Sequence, residues 1–177
     1  MSASIPDPST VASGVASKNN HLELDPGGVY IAVFRMVSVK NYHWALIIAT
    51  HERTGMMYHN TDRGQGFYFE ARLHTHLLNS DNLLSLVKVS EITSYDREFH
   101  KHLAQRLKSI PTSQHRCRTW LKEALILASQ EGLIGINMMS NTFQILEDEA
   151  IVAVQARTAL QQQAREANMV TSAVYDV

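Results

Sequence analysis

Apolar residues are distributed in two ways along the chain, and the change falls just after Ile92. Before it they come in short dense runs. Val29 to Val37 (VYIAVFRMV) is nearly continuous apolar sequence with β-branched and aromatic residues, the pattern of a strand covered on both faces. Ser38 to Asn41 reads as a turn, and Tyr42 to Thr50 (YHWALIIAT) as a second strand. Gly55 closes the next connection and Met56 to Asn60 (MMYHN) is a third. Gly64 and Gly66 precede a fourth, Phe67 to Glu70, and Leu83 to Ile92 is a fifth. Links this short favour hairpins over crossover helices, and so antiparallel pairing.

Beyond Ile92 the period lengthens. Tyr95, Phe99, Leu103 and Leu107 recur every four residues, one face of a helix. Asp96 and Glu98 lie early in it, Arg106 and Lys108 late, as the helix dipole favours, and Pro111 stops it. A second helix is expected from Gln114 to Gln130, ended by Gly132. A third runs from Ile145 to about Ala167, opening on Glu147, Asp148 and Glu149 and carrying Ile151, Val154 and Leu160. Met1 to Pro26 is polar and without periodicity, the signature of a disordered arm. The expected architecture is one α+β domain over residues 27–177: an N-terminal antiparallel sheet of about five strands, then two to three helices.

Composition narrows the function classes. With 177 residues, 45% hydrophobic, the chain can build one core of ordinary size. The formal charge is −1 and the 16 basic residues are scattered, which argues against a nucleic-acid partner. No apolar run has the length of a membrane span, and the N-terminus lacks the apolar core of a secretory signal. Cys117 is the sole cysteine, so no internal disulfide can form, and a reducing cytoplasmic location is expected. Glycine-rich phosphate loops and G-x-S-x-G elbows are absent, and no cofactor is expected.

The chemistry-bearing residues are a cysteine and several histidines. Cys117 falls near the start of the second expected helix, where the dipole favours thiolate, and Arg116 and Arg118 flank it. With Leu121, Ala124 and Ala128 it shares a face that would turn toward the sheet. His43, in the second strand, is the residue type that activates a thiol as general base. His59, in the third, would orient His43 if both lie on one sheet face. The register that decides this is not fixed by Thr50 to Gly55. Against these stand plainer roles: free cysteines are usually buried, and strand histidines often bond the backbone. His74 and His76 have the spacing of a strand metal pair but lack further ligands nearby, so no metal is assigned. His100 and His102 would splay apart on a helix. Glu70 and Glu91 are strand-end carboxylates with no visible partner.

Three segments together resemble a family of small fungal proteins of uncharacterised function with a YHWAL…YH…CxxWxKEAL pattern. They are Tyr42-His43-Trp44-Ala45-Leu46, Tyr58-His59 and Cys117-Arg118-Thr119-Trp120-Leu121-Lys122-Glu123-Ala124-Leu125. The match covers about Tyr30 to Gln130. More distantly, the order His, His, Cys resembles the circularly permuted papain-like thiol enzymes, the lecithin:retinol acyltransferase-like and NlpC-type families. That resemblance implies a permuted papain-like fold, with Cys117 as nucleophile, His43 as base and His59 as its support. The reaction implied is hydrolysis or transfer of an acyl group from a small-molecule or peptide amide or ester. The chain departs from the acyltransferase-like pattern in His115-Arg116 before the cysteine and Arg118-Thr119-Trp120 after it. The link from His43 to His59 is also a few residues longer than in that family.

Two readings follow. In one, the protein is a cysteine hydrolase or acyltransferase. In the other, it is a non-catalytic binding or accessory protein of the same fold. An enzyme needs a cleft that reaches the thiol, whereas a scaffold buries it. An exposed apolar stripe through Ile151, Val154 and Leu160 would mark a homodimer or partner surface.

Overall fold

The computed structural model describes residues 22–36, 41–160 and 167–175. Six strands form one mixed sheet: β1 (Gly28–Arg35), β2 (Tyr42–His51), β3 (Thr54–Asp62), β4 (Phe67–His74), β5 (Leu83–Glu91) and β6 (Asn168–Thr171). Their order is β4-β3-β2-β1-β5-β6. Three helices follow the first five strands: α1 (Arg97–Leu107), α2 (Cys117–Gln130) and α3 (Thr142–Leu160). The class is therefore α+β; β1 to β4 pair as antiparallel hairpins, as their short links imply, whereas β5 crosses to the other side of the sheet and pairs antiparallel with β1 instead of with β4.

β3 and β4 run longer than expected and α2 begins at Cys117 rather than Gln114, and three further differences bear on the fold. β6 runs parallel to β5, with Asn168 to Thr171 opposite Ser85 to Lys88. Its four residues, NMVT, are too few and too polar to give a strand signal, and the apolar pattern carries the third helix on to Ala167 instead. That helix opens at Thr142 rather than Ile145; residues 161–166 of the expected span lie outside the described residues. At the other end, residues 22–26 of the expected arm include a packed side chain. The Leu24 N–H donates to the Glu52 carbonyl at 2.7 Å, and its side chain is 1% exposed. Burying a leucine this fully stabilises by about 1.5–3 kcal/mol, which outweighs the polar neighbours that made the segment look unstructured. Residues 1–21 of the expected arm, and 37–40 of the expected first strand end and turn, lie outside the described residues.

The sheet is covered on both faces, as the continuous apolar run of β1 requires. Val29, Ile31 and Val33 point toward the helices, where Trp44, Leu46, Ile48, Tyr58, Trp120, Leu121, Ala124, Leu146 and Ala150 complete the main core. Tyr30, Ala32 and Phe34 point the other way, into a smaller core with Ala45, Ile47, Met57, Leu83, Leu86 and Leu24. α1 begins where the Asp96 carboxylate accepts the Phe99 N–H at 2.8 Å. α2 ends at Gly132, whose φ of +67° lets the Leu133 N–H return to the Ala128 carbonyl at 2.8 Å.

One irregularity positions the site. β2 and β3 pair from Leu46↔Tyr58 toward the hairpin, and not before. Outside that ladder, Tyr42 to Ala45 stay paired with β1, and His59 to Asp62 stay paired with β4. The two strands thus fork at this end, and the side chains at the fork span the gap.

Candidate functional site

Alternation fixes where the fork residues point. His43 keeps phase with Ala45 and Ile47, and His59 with Met57, so both imidazoles turn to the face away from the helices. This resolves the register the sequence left open. His43 Nε2 lies 2.6 Å from His59 Nδ1, with the ring planes at 70°. His59 is directly opposite Glu70 across the β3–β4 ladder, and its Nε2 lies 3.0 Å from Glu70 Oε2. Arg63 donates to the other carboxylate oxygen at 2.6 Å. Glu70, with no visible partner in the sequence, is therefore the end of a three-member chain. Its partner is a cross-strand neighbour, which linear spacing does not reveal.

The charge states are set by burial and by that carboxylate. Burial, with some contribution from His59, pushes the His43 imidazolium down from 6.5 to about 4. Burial also lowers His59, against the opposing pull of Glu70. For Glu70, burial works upward, but the His59 hydrogen bond and the Arg63 and Arg72 charges outweigh it and the carboxyl lies below its ordinary value. At neutral pH the chain then holds one negative charge and two neutral rings. An ionised Glu70 can only accept, so His59 Nε2–H donates to it. His59 Nδ1 is then an acceptor, and His43 Nε2–H donates to that. The lone pair left over is on His43 Nδ1.

Cys117 is the first residue of α2, as its place in the sequence suggests, and it is half-buried. Its thiol donates to the Tyr42 carbonyl at 3.7 Å. Arg116, at the helix cap, makes no side-chain capping bond, so the first-turn N–H groups receive no side-chain acceptor there. The thiol opens on a cleft of about 680 Å³ on the helix side of the sheet, walled by Tyr42, Trp44, Asn60, Phe67, Arg118 and Ile151. His43 also lines this cleft, because the fork leaves it accessible from both sides of the sheet. The structure thus joins His43 to His59 and Glu70 and sets Cys117 on the wall of a cleft that His43 borders. It forms no hydrogen bond between Cys117 and His43 among the described residues.

Asn60 is a residue that sequence reasoning missed. It is fully buried, and its Nδ2 donates to the carbonyls of Thr112, at 3.2 Å, and His115. These bonds tie β3 to the segment that leads into α2, and so help place Cys117. Its Oδ1 is buried without a partner. A polar residue at a helix-facing position of an otherwise apolar strand is the signal that could have found it.

The remaining histidines fall elsewhere. His100, on α1, meets the Tyr58 hydroxyl at 2.7 Å, and His102 is exposed. His74 ends β4 and His76 lies in the turn after it. Among the described residues no group of three or more His, Cys, Asp or Glu is placed to hold a metal, and no helix is long and apolar enough to cross a membrane. Val154 is buried and Ile151 half-buried, so they offer no continuous exposed stripe with Leu160, whose side chain is not described.

No curated protein and no solved structure matches the chain. A family model does, over residues 29–135, which is more than half of the chain and runs from Val29 in β1 past the end of α2, taking in His43, His59, Asn60, Glu70 and Cys117. The chain therefore belongs to the family of unknown function DUF6540.

Proposed function

We propose that the protein is a cysteine-dependent hydrolase or acyltransferase acting on an amide or ester. The observation that carries this reading is the shared cleft. Cys117, at a helix N-terminus, and His43 line one concave site whose walls combine Tyr42, Trp44, Phe67 and Ile151 with polar side chains, and His59 and Glu70 back His43 from outside it. The resemblance to permuted papain-like thiol enzymes implies the same roles for Cys117, His43 and His59.

In the proposed reaction the Cys117 sulfur attacks the acyl carbon while its proton passes to His43 Nδ1. The acyl oxygen becomes negative and is met by first-turn N–H groups of α2, which have no side-chain cap to satisfy them. The C–N or C–O bond breaks, and the leaving group takes the proton from His43. Water or an acceptor alcohol or amine then attacks the thioester, gives its proton to His43, and the thiol is restored. His59 and Glu70 do not touch the substrate; they hold His43 in the tautomer that leaves Nδ1 free. The thiol leaves the Tyr42 carbonyl to engage His43, a change of the kind by which catalytic hydrogen bonds tighten only in the substrate complex.

One observation favours a second reading, a non-catalytic binding protein: the thiol is bonded to a backbone carbonyl instead of an imidazole. The rate of Cys117 alkylation by iodoacetamide against pH separates the two, measured in the native protein and in His43→Ala. For an enzyme the native thiol is alkylated at neutral pH much faster than an unactivated thiol, and the substitution removes that advantage. Equal profiles in both proteins, whether the thiol reacts slowly or is inert, would overturn the catalytic reading and leave the binding one.

A further inference from the structure

The two edges of the sheet differ. β6 is a strand of four residues, too short to offer much of a ladder. β4 forms the other edge over eight residues with no proline, glycine or bulge, and its register with β3 is unbroken from Phe67 to His74. Among the described residues no backbone group of β4 bonds to anything beyond β3. Long edges in other sheets are blunted by bulges, prolines or a covering segment. Here charge is the protection, and the charges alternate in sign.

Alternation divides β4 into two sets. Tyr68, Glu70, Arg72 and His74 share the face of His59, and Phe69, Ala71 and Leu73 share the face of the helices. Leu73 is 51% exposed, unusual for a leucine in a strand whose neighbour Phe69 packs on the core. The Arg72 side chain is also half exposed, and it reaches Glu70 on its own strand only at 4.0 Å. Residues directly opposite on paired strands are nearer than that arrangement allows, with Cβ atoms about 4.5–5.5 Å apart against roughly 7 Å for i and i+2 along one strand.

We propose that two copies of this chain join edge to edge at β4, antiparallel, with Ala71 on the two-fold axis, so that their sheets become one. This register sets Glu70 opposite the partner's Arg72, and Arg72 opposite the partner's Glu70. On the helix side it sets Phe69 opposite the partner's Leu73 and Leu73 opposite the partner's Phe69, which covers the exposed leucine. Centring the pair on Glu70 would oppose the two carboxylates, and centring it on Arg72 would oppose the two guanidiniums, both repulsive. A pairing shifted out of phase would put the apolar set of one copy against the charged set of the other. The strand is therefore complementary to itself in one register and repels itself in the two beside it, which fits a second copy of the chain as the occupant. The contact is smaller than a standard interface, so the dimer is reversible and forms with rising concentration. It does not depend on the thiol chemistry, although it brings the partner's Arg72 to the carboxylate that holds His59.

Sedimentation velocity over a concentration series tests this on the full chain. The native protein should pass from monomer to dimer, and Cys117→Ser should do the same, which keeps the outcome separate from that of the catalytic reading. Arg72→Glu and Leu73→Lys, both at half-exposed positions, should weaken association by about tenfold or more, because each substitution acts twice across the two-fold axis. Val152→Lys, at an exposed apolar position of α3, should leave association unchanged. Cysteine cross-linking in the Cys117→Ser background reads the register. Ala71→Cys should give a disulfide-linked dimer on mild oxidation, and Leu73→Cys, whose two copies lie on opposite sides of the axis, should not. The proposal is overturned if the native protein stays monomeric up to about 1 mM, where even a weak complex is populated. It is equally overturned if Arg72→Glu and Leu73→Lys associate like the native protein, if Val152→Lys abolishes the dimer, or if Leu73→Cys cross-links as readily as Ala71→Cys.

Discussion

Replacing His43 with glutamine should flatten the acid side of the stability profile, and the size of the effect follows from the buried ring. In the fold the imidazolium is held down at about 4, against 6.5 for an ordinary histidine. The unfolded chain therefore binds a proton in a range where the folded chain does not. Stability from this group is present above the unfolded value and is lost as pH falls from there toward the folded value. Between about pH 7 and about pH 5 the linkage amounts to about 2 kcal/mol, from roughly 1.4 kcal/mol for each pH unit in which only the unfolded state is protonated. His59 is lowered as well and adds in the same direction, while Glu70, also lowered, contributes only further into acid. Because the two rings share a hydrogen bond, the measured midpoints belong to the pair. Urea unfolding at several pH values gives the test. The native protein should lose about 2 kcal/mol more than His43→Gln over that interval. Parallel profiles for the two proteins would refute the idea that His43 is held neutral by burial, and with it the tautomer chain that leaves Nδ1 free.

Other expectations rest on single features. Gly27→Ala should destabilise by more than about 1 kcal/mol, because Gly27 sits at φ +82° and an added Cβ would collide with the Ile92 carbonyl; thermal unfolding measures it. Asp96→Ala should cost about 1 kcal/mol by removing the cap of α1, read as a lower urea midpoint with an unchanged slope. Asn60→Leu should reduce the alkylation rate of Cys117 as well as stability, because the Thr112 and His115 carbonyls lose their donor and the start of α2 is freed. An unchanged alkylation rate would mean that Asn60 does not position the thiol.

Local pattern determined a good deal about this protein. Runs of β-branched and aromatic residues define five strands, and the shift to a four-residue period marks where the chain turns from strands to helices. Both signals are strong because each element buries a face whose repeat is set by backbone geometry, 2.0 in a strand and 3.6 in a helix. Cys117 at the start of α2 could be placed for the same reason. Elements held mainly by partners remote in sequence were beyond reach. β6 is a strand because β5 offers it a ladder, and Leu24 is ordered because the second core has a place for it. The site shows the same division. Its residue types were legible, but which of them meet was decided by cross-strand register and by the β2–β3 fork. Register brought Glu70 to His59 and both imidazoles to one face. The alternation that did so also turned His43 away from the helix carrying Cys117, and only the fork lets that residue border the thiol's cleft. A one-residue shift in pairing would reverse all of this without altering any local pattern, because side chains in a strand change face at every step.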